Sequence, residues 1–114
     1  MPRGVLIVDS RPVSPAQLTA YHDWYDNKHI PEVLQLEGFV SARRLESLDG
    51  DTFTVIYEID GEVEAARAAL GRAQASGTMS RPEGVQLDPP PAVHYLREIS
   101  ACAGPRALAA PASG

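Results

Sequence analysis

The segment YHDWYDNKHIPEV, from Tyr21 to Val33, gathers two histidines, two tyrosines, a tryptophan and two aspartates around a single proline. At helical pitch His22, Asp26 and His29 fall on one stripe with Tyr25 beside it, because residues three and four apart share a face. A neutral imidazole takes or returns a proton near pH 7, and an adjacent carboxylate fixes its tautomer and stabilises the imidazolium. His29 is therefore the candidate base, Asp26 its orienting partner and His22 a second titratable group. Tyr21, Trp24 and Tyr25 offer aromatic walls. Strands facing this helix offer Arg43 or Arg44, Tyr57, and His94 or Tyr95, and a tyrosine or arginine so placed stabilises a developing enolate or phenolate.

The same residues have plainer uses. Tyr21, Trp24 and Tyr25 on a helix stripe also make a hydrophobic core. His22 and Asp26, four apart, also tie a helix surface together, and His29 just before Ile30-Pro31 also caps a helix end. Neighbours on a strand point to opposite faces, so at most one of Arg43 and Arg44 reaches a given pocket. His94 suits a structural place on its strand. A His-x3-Asp-x2-His face is also a possible divalent-metal face, and a histidine is a possible haem ligand. The acid–base reading needs fewer assumptions, so the expectation is no metal and no bound cofactor. Phosphate-cradling glycine loops, a dinucleotide fingerprint and a nucleophile elbow are absent.

The elements that must position these residues follow from the hydrophobic pattern. GVLIVDS is a short apolar run, read as a strand buried on both faces. Ser14 and Pro15 then open a helix as N-cap and first helical residue. Pro31 disfavours helical geometry before it, so that helix should kink or end near His29. GFVSARRLESL and TFTVIYEI alternate around Asp49-Gly50, a hairpin signal. DGEVEAARAALGRAQASG carries Val63, Ala66, Leu70 and Ala73 on one stripe and closes at Gly77. After the proline-rich RPEGVQLDPPP, AVHYLREI supplies a fourth strand. The order is β-α-β-β-α-β, an α+β ferredoxin-like arrangement in which two helices cover one face of a four-stranded antiparallel sheet. The other face carries few charges, and face-to-face dimerisation into a barrel is the expected way to cover it.

The chain has 114 residues, which fits one domain over residues 1–100 with a flexible Ala/Pro/Gly-rich tail over 101–114. Ten Lys and Arg against fifteen Asp and Glu give a net charge of −5 with no basic run. That balance gives no reason to approach nucleic acid or anionic lipid. The N-terminus lacks a signal-peptide layout and no segment nears the length of a membrane span, so the expectation is a cytoplasmic protein. Cys102 is the sole cysteine and has no partner within the chain for a disulfide.

The element order together with WYDNKHIPEVLQLEGFVSARRL, Trp24 to Leu45, resembles the dimeric α+β barrel superfamily, and within it the EthD-like members. These carry a similar His-x-Pro followed by a Leu-x-Gly-Phe-like lead into the second strand. His29 corresponds to the histidine of that motif, and Trp24 and Tyr25 to the aromatic pair upstream of it. Glu37 stands where the relatives commonly have proline, a departure that bears on the loop. The superfamily includes aromatic polyketide cyclases, cofactor-independent monooxygenases, some haem enzymes and members without assigned activity. The resemblance implies a homodimer with a substrate pocket between first helix and sheet. It implies a cofactor-free enzyme performing cyclisation, dehydration or isomerisation on an aromatic or polyketide-like small molecule. A cofactor-independent monooxygenase and a non-catalytic binding or scaffold dimer are the alternatives.

Overall fold

A computed structural model describes residues 3–106. Strand β1 (Arg3–Ser10) runs centrally, with β3 (Phe53–Asp60) antiparallel on one side and β4 (Ala92–Arg97) antiparallel on the other. Strand β2 (Phe39–Glu46) pairs antiparallel with β3 and completes a sheet of order β2-β3-β1-β4. The helices lie between β1 and β2 and between β3 and β4, which fits the expected ferredoxin-like arrangement. Leu6, Phe53, Val55, Tyr57 and Ile59 alternate onto the helix-covered face and are buried there, as a period of two requires. On the opposite face Val5, Ile7 and Ile56 are only half covered, so β1 is buried on one face within a single chain rather than on both.

The first helical region departs from expectation. A 3₁₀ turn, Pro15–Gln17, leads into α1 (Leu18–Trp24). Ser14 takes the extended geometry of an N-cap, although its hydroxyl makes no capping bond. The helix neither stops nor sharply breaks at His29. Instead Tyr25–His29 forms a π-helical turn, closed by the Ile30 N–H donating to the Tyr25 carbonyl five residues back, and α2 (Ile30–Leu34) continues with Pro31 in its first turn. A proline in an unbroken α-helix removes one ladder bond and drives its ring into the carbonyl four residues earlier. One widened turn placed just ahead of Pro31 makes room for that ring, and such turns cluster at functional sites.

The hairpin between β2 and β3 closes through Ser47 N–H to Thr52 C=O at 2.9 Å, with Gly50 at φ +82° supplying the left-handed position. Helix α3 (Val63–Ala75) buries Val63, Ala66 and Leu70 and ends where Gly77 adopts positive φ. From Thr78 to Pro91 the chain forms a strap back over the first helix. The strap is tied by Val13 N–H to Gly84 C=O at 2.8 Å and Gln86 N–H to Arg11 C=O at 3.0 Å. Gly84 has φ +73°, and a β-carbon there would lie 2.9 Å from the Tyr21 nitrogen, so only glycine lets the strap seat this closely. Residues 101–106 form no helix or strand and are exposed. The remainder of the expected tail, like residues 1 and 2, lies outside the described residues. Among the described residues, no helix is long and apolar enough to cross a membrane.

Candidate functional site

Among the described residues, two clefts on the helix side of the sheet take in candidate side chains. The larger, about 800 Å³, lies between the π-turn, α3, the strap and the sheet, with Leu6, Val8, Tyr57 and Tyr95 lining it from the strands. The smaller, about 630 Å³, sits at the end of the sheet against Arg11, Leu18, His22, Arg44 and Phe53. The stripe read from helical pitch is thus divided. His22 belongs to the smaller cleft and His29 to the larger, because the extra residue in the π-turn rotates everything after it out of the line set by α1.

His29 stacks on the Trp24 indole at 4.4 Å between ring centroids and 14° between planes, and meets the Tyr25 ring edge-on at 5.8 Å. Its Nδ1 is buried without a hydrogen-bond partner. Burial pushes its pKa below the ordinary value, with Glu32 pulling weakly the other way, so the ring is neutral and able to accept a proton. Asp26 does not orient it. The Asp26 carboxylate is exposed and pairs with Arg44 at 3.3 Å. An imidazolium formed here would lie over the Trp24 indole, a contact worth about 0.5–2 kcal/mol.

Tyr57 projects from β3 into the larger cleft with its hydroxyl buried and unpaired, and the Trp24 Nε1 is unpaired as well. Leaving such a group unsatisfied costs about 1–3 kcal/mol, so these atoms mark a place where the fold forgoes stability. Burial, with the neighbouring Tyr25 adding to it, raises the Tyr57 pKa strongly and keeps it a neutral donor. Tyr95 from β4 is half-buried in the same cleft beneath the Arg67 guanidinium, 5.6 Å above its ring, and burial raises its pKa too.

Arg44 is the arginine of the helix face, and Arg43 is exposed on the other. A β-bulge decides between the two. The register slips between Phe39 and Ser41, so Ala42 and Arg44, not Ser41 and Arg43, share the face of Phe39. The Arg44 side chain is only 16 % exposed; its Nη1 donates to His22 Nδ1 at 3.0 Å and to Asp26, while its guanidinium lies 5.0–5.9 Å from the ring centroids of Tyr25, Tyr21 and Phe53. Arginine has donors only, so His22 Nδ1 is the acceptor and the neutral ring carries its proton on Nε2. His94 pairs across the sheet with Ile7, exposed on the face away from both clefts. Tyr21 is fully buried and lines neither cleft; it is core. Thus Trp24, Tyr25, His29, Tyr57 and Tyr95 line the larger cleft together, while Tyr21, His22, Asp26, Arg43 and His94 do not line it.

Sequence reading did not single out Ser10 or the strap. Ser10 is buried at the end of β1, where its Oγ meets the Tyr21 hydroxyl at 2.7 Å and the Tyr25 hydroxyl at 3.0 Å. Its phase with Leu6 and Val8 was the available signal. The strap is latched to α2 by Glu32, whose carboxylate accepts from Ser80 N–H at 3.0 Å and Ser80 Oγ at 2.7 Å, and to the π-turn by Lys28–Glu83 at 2.6 Å. Among the described residues no three His, Cys, Asp or Glu side chains converge as metal ligands. No protein-family model, curated protein or solved structure matches the chain.

Proposed function

We propose that the larger cleft is the active site of a cofactor-free enzyme that moves protons on an aromatic or polyketide-like small molecule. The observation carrying this reading is the convergence of a burial-neutralised His29 with the unpaired Tyr57 hydroxyl in one apolar, aromatic-lined cleft of suitable size for a planar ligand. In this reading the neutral His29 imidazole takes a proton from carbon next to a carbonyl, the imidazolium is held over Trp24, and a tyrosine hydroxyl stabilises the enolate oxygen. Return of the proton to a different carbon then gives isomerisation, its transfer to a departing β-hydroxyl gives water and dehydration, and attack of the enolate carbon on a second carbonyl, with the proton passing to the new alkoxide, gives cyclisation.

The resemblance to EthD-like dimeric α+β barrels is part of this proposal, with the half-covered sheet face as the dimer surface. The test is exchange of α-protons for solvent deuterium on aryl ketones, followed by NMR. Exchange above the buffer rate that falls about 10²- to 10⁴-fold in His29→Gln supports the reading. No exchange across a panel of planar ketones and phenols would remove it and leave a binding or scaffold dimer. Oxygen uptake without flavin or metal would move the assignment to the monooxygenase alternative.

A further inference from the structure

The walls of the larger cleft are charged in one sense only. Arg67 from α3 and Arg81 from the strap line it, and no aspartate or glutamate does, in a chain whose net charge is −5. Glu32 and Glu83, the carboxylates that latch the strap, do not line it and are engaged by Ser80 and Lys28. The smaller cleft, by contrast, sets Glu46 and Asp51 among its arginines. Among the described residues neither Arg67 nor Arg81 has a carboxylate within ion-pair distance. Arg67 holds its guanidinium 5.6 Å from the Tyr95 ring centroid, and a cation–π contact leaves the N–H donors of a guanidinium available to an oxyanion. A cleft of one sign with apolar walls concentrates ligands of the other sign.

Helix α3 is notched on the same wall. Arg67, Leu70, Gly71 and Gln74 follow one another at i, i+3, i+4 and i+7, so a single face of the helix lines the cleft. Gly71 stands inside that helix, where glycine is less stable than alanine. Neither usual reason for a glycine applies to it: its φ is not positive, and a β-carbon there would meet no atom within 4 Å. Packing therefore does not require the gap, and the fold gives up helix stability to keep it. Arg67 lies one turn before the notch on the same face. We infer that the larger cleft takes a planar ligand that carries an oxyanion, a carboxylate or a phosphate, with its body against the Gly71 notch and its charge held by Arg67. Arg81 adds to the positive potential from the strap.

The inference rests on the larger cleft binding planar aryl ketones, and the probes are 4-acetylbenzoate, 4-acetylphenyl phosphate and the neutral methyl 4-acetylbenzoate. Trp24 is the sole tryptophan and lines the cleft, so quenching of its fluorescence reads binding there. Wild type is expected to bind the better of the two anions about three- to tenfold more tightly than the ester at low ionic strength, an advantage that shrinks with added salt. The tighter anion identifies the oxyanion. Arg67→Gln should remove most of the advantage and Arg81→Gln part of it, with binding of the ester unchanged. Both arginines are exposed, so neither substitution disturbs the core. Gly71→Ala should raise the melting temperature by roughly 4 °C while weakening all three probes severalfold, a split that a glycine with no ligand against it would not give. Equal binding of the anions and the ester by wild type, or an advantage that survives in the Arg67→Gln, Arg81→Gln double variant, overturns the inference while leaving the cleft a binding site. A Gly71→Ala protein that gains stability and binds as wild type does overturns the notch. No quenching by any of the three probes removes the planar-ketone reading, and this inference with it.

Discussion

His29 and Tyr57 make opposite contributions to stability and to the proposed chemistry. His29 has a folded-state pKa below its ordinary 6.5 because it is buried. Between those two values the unfolded chain binds more protons than the folded one, so stability is full above about pH 6.5 and is lost as the pH falls towards the folded pKa. Urea titrations of wild type and His29→Gln should therefore run parallel above that point and converge or cross below it. Parallel curves down to about pH 5 would show that His29 is not buried as described. The Tyr57 hydroxyl is buried and unpaired, so Tyr57→Phe should raise stability by about 1 kcal/mol in thermal or urea unfolding while slowing α-proton exchange. A stability loss instead would mean that the hydroxyl has a structural partner. The sequence made His29, Trp24, Tyr25, Tyr57 and Tyr95 visible as chemistry-bearing residues. It left open which of Arg43 and Arg44 faces the helices, because alternation separates the two but cannot see the bulge between Phe39 and Ser41 that sets the phase.

At the scale of elements, the strand and helix order was legible because each segment has a clean period and a turn residue at its end. What was not legible is how the chain accommodates Pro31. The pitch argument assumed a regular helix and so joined His22, Asp26 and His29, whereas the π-turn separates His29 from the first two and delivers Asp26 to Arg44. The strap was equally hidden, since RPEGVQLDPPP has no period and its seat depends on Glu32, Lys28 and Gly84 acting across the fold. Hydrogen bonds from Ser80 hold the Glu32 pKa below its ordinary 4.5. Its contribution is present above that value and is lost as the pH falls through the folded pKa. Glu32→Gln should accordingly raise amide exchange in the strap, Thr78 to Leu87, at neutral pH, with the sheet unaffected. Acidification of wild type should do the same. Unchanged strap exchange in Glu32→Gln would assign the seating to the Lys28–Glu83 pair and to the backbone bonds at Gly84 and Gln86.

Across the whole molecule, one sheet face is covered by helices and the other is not. Register places Ile56, Ile7 and Leu96 on the open face, with Leu45 towards one edge, while Arg43, Glu58 and His94 interrupt the apolar surface. Leu45 and Leu96 remain 42 % and 48 % exposed. A face mixing central aliphatics with scattered charges is what a second copy of the chain would cover, since an interface needs an apolar centre and tolerates polar surroundings. Light scattering at micromolar concentration should therefore give a dimer. Ile7→Glu puts a carboxylate at the centre of that face, with Ile56 and His94 as its cross-strand neighbours, but only onto a half-exposed position of the single chain. It should cost the dimer about 3 kcal/mol or more, roughly a hundredfold in dissociation constant, while leaving the monomer folded by circular dichroism. If wild type is already monomeric at tens of micromolar, the barrel reading loses its physical basis. The larger cleft, which lies on the other side of the sheet and is built within one chain, would then be tested by its own experiments unchanged.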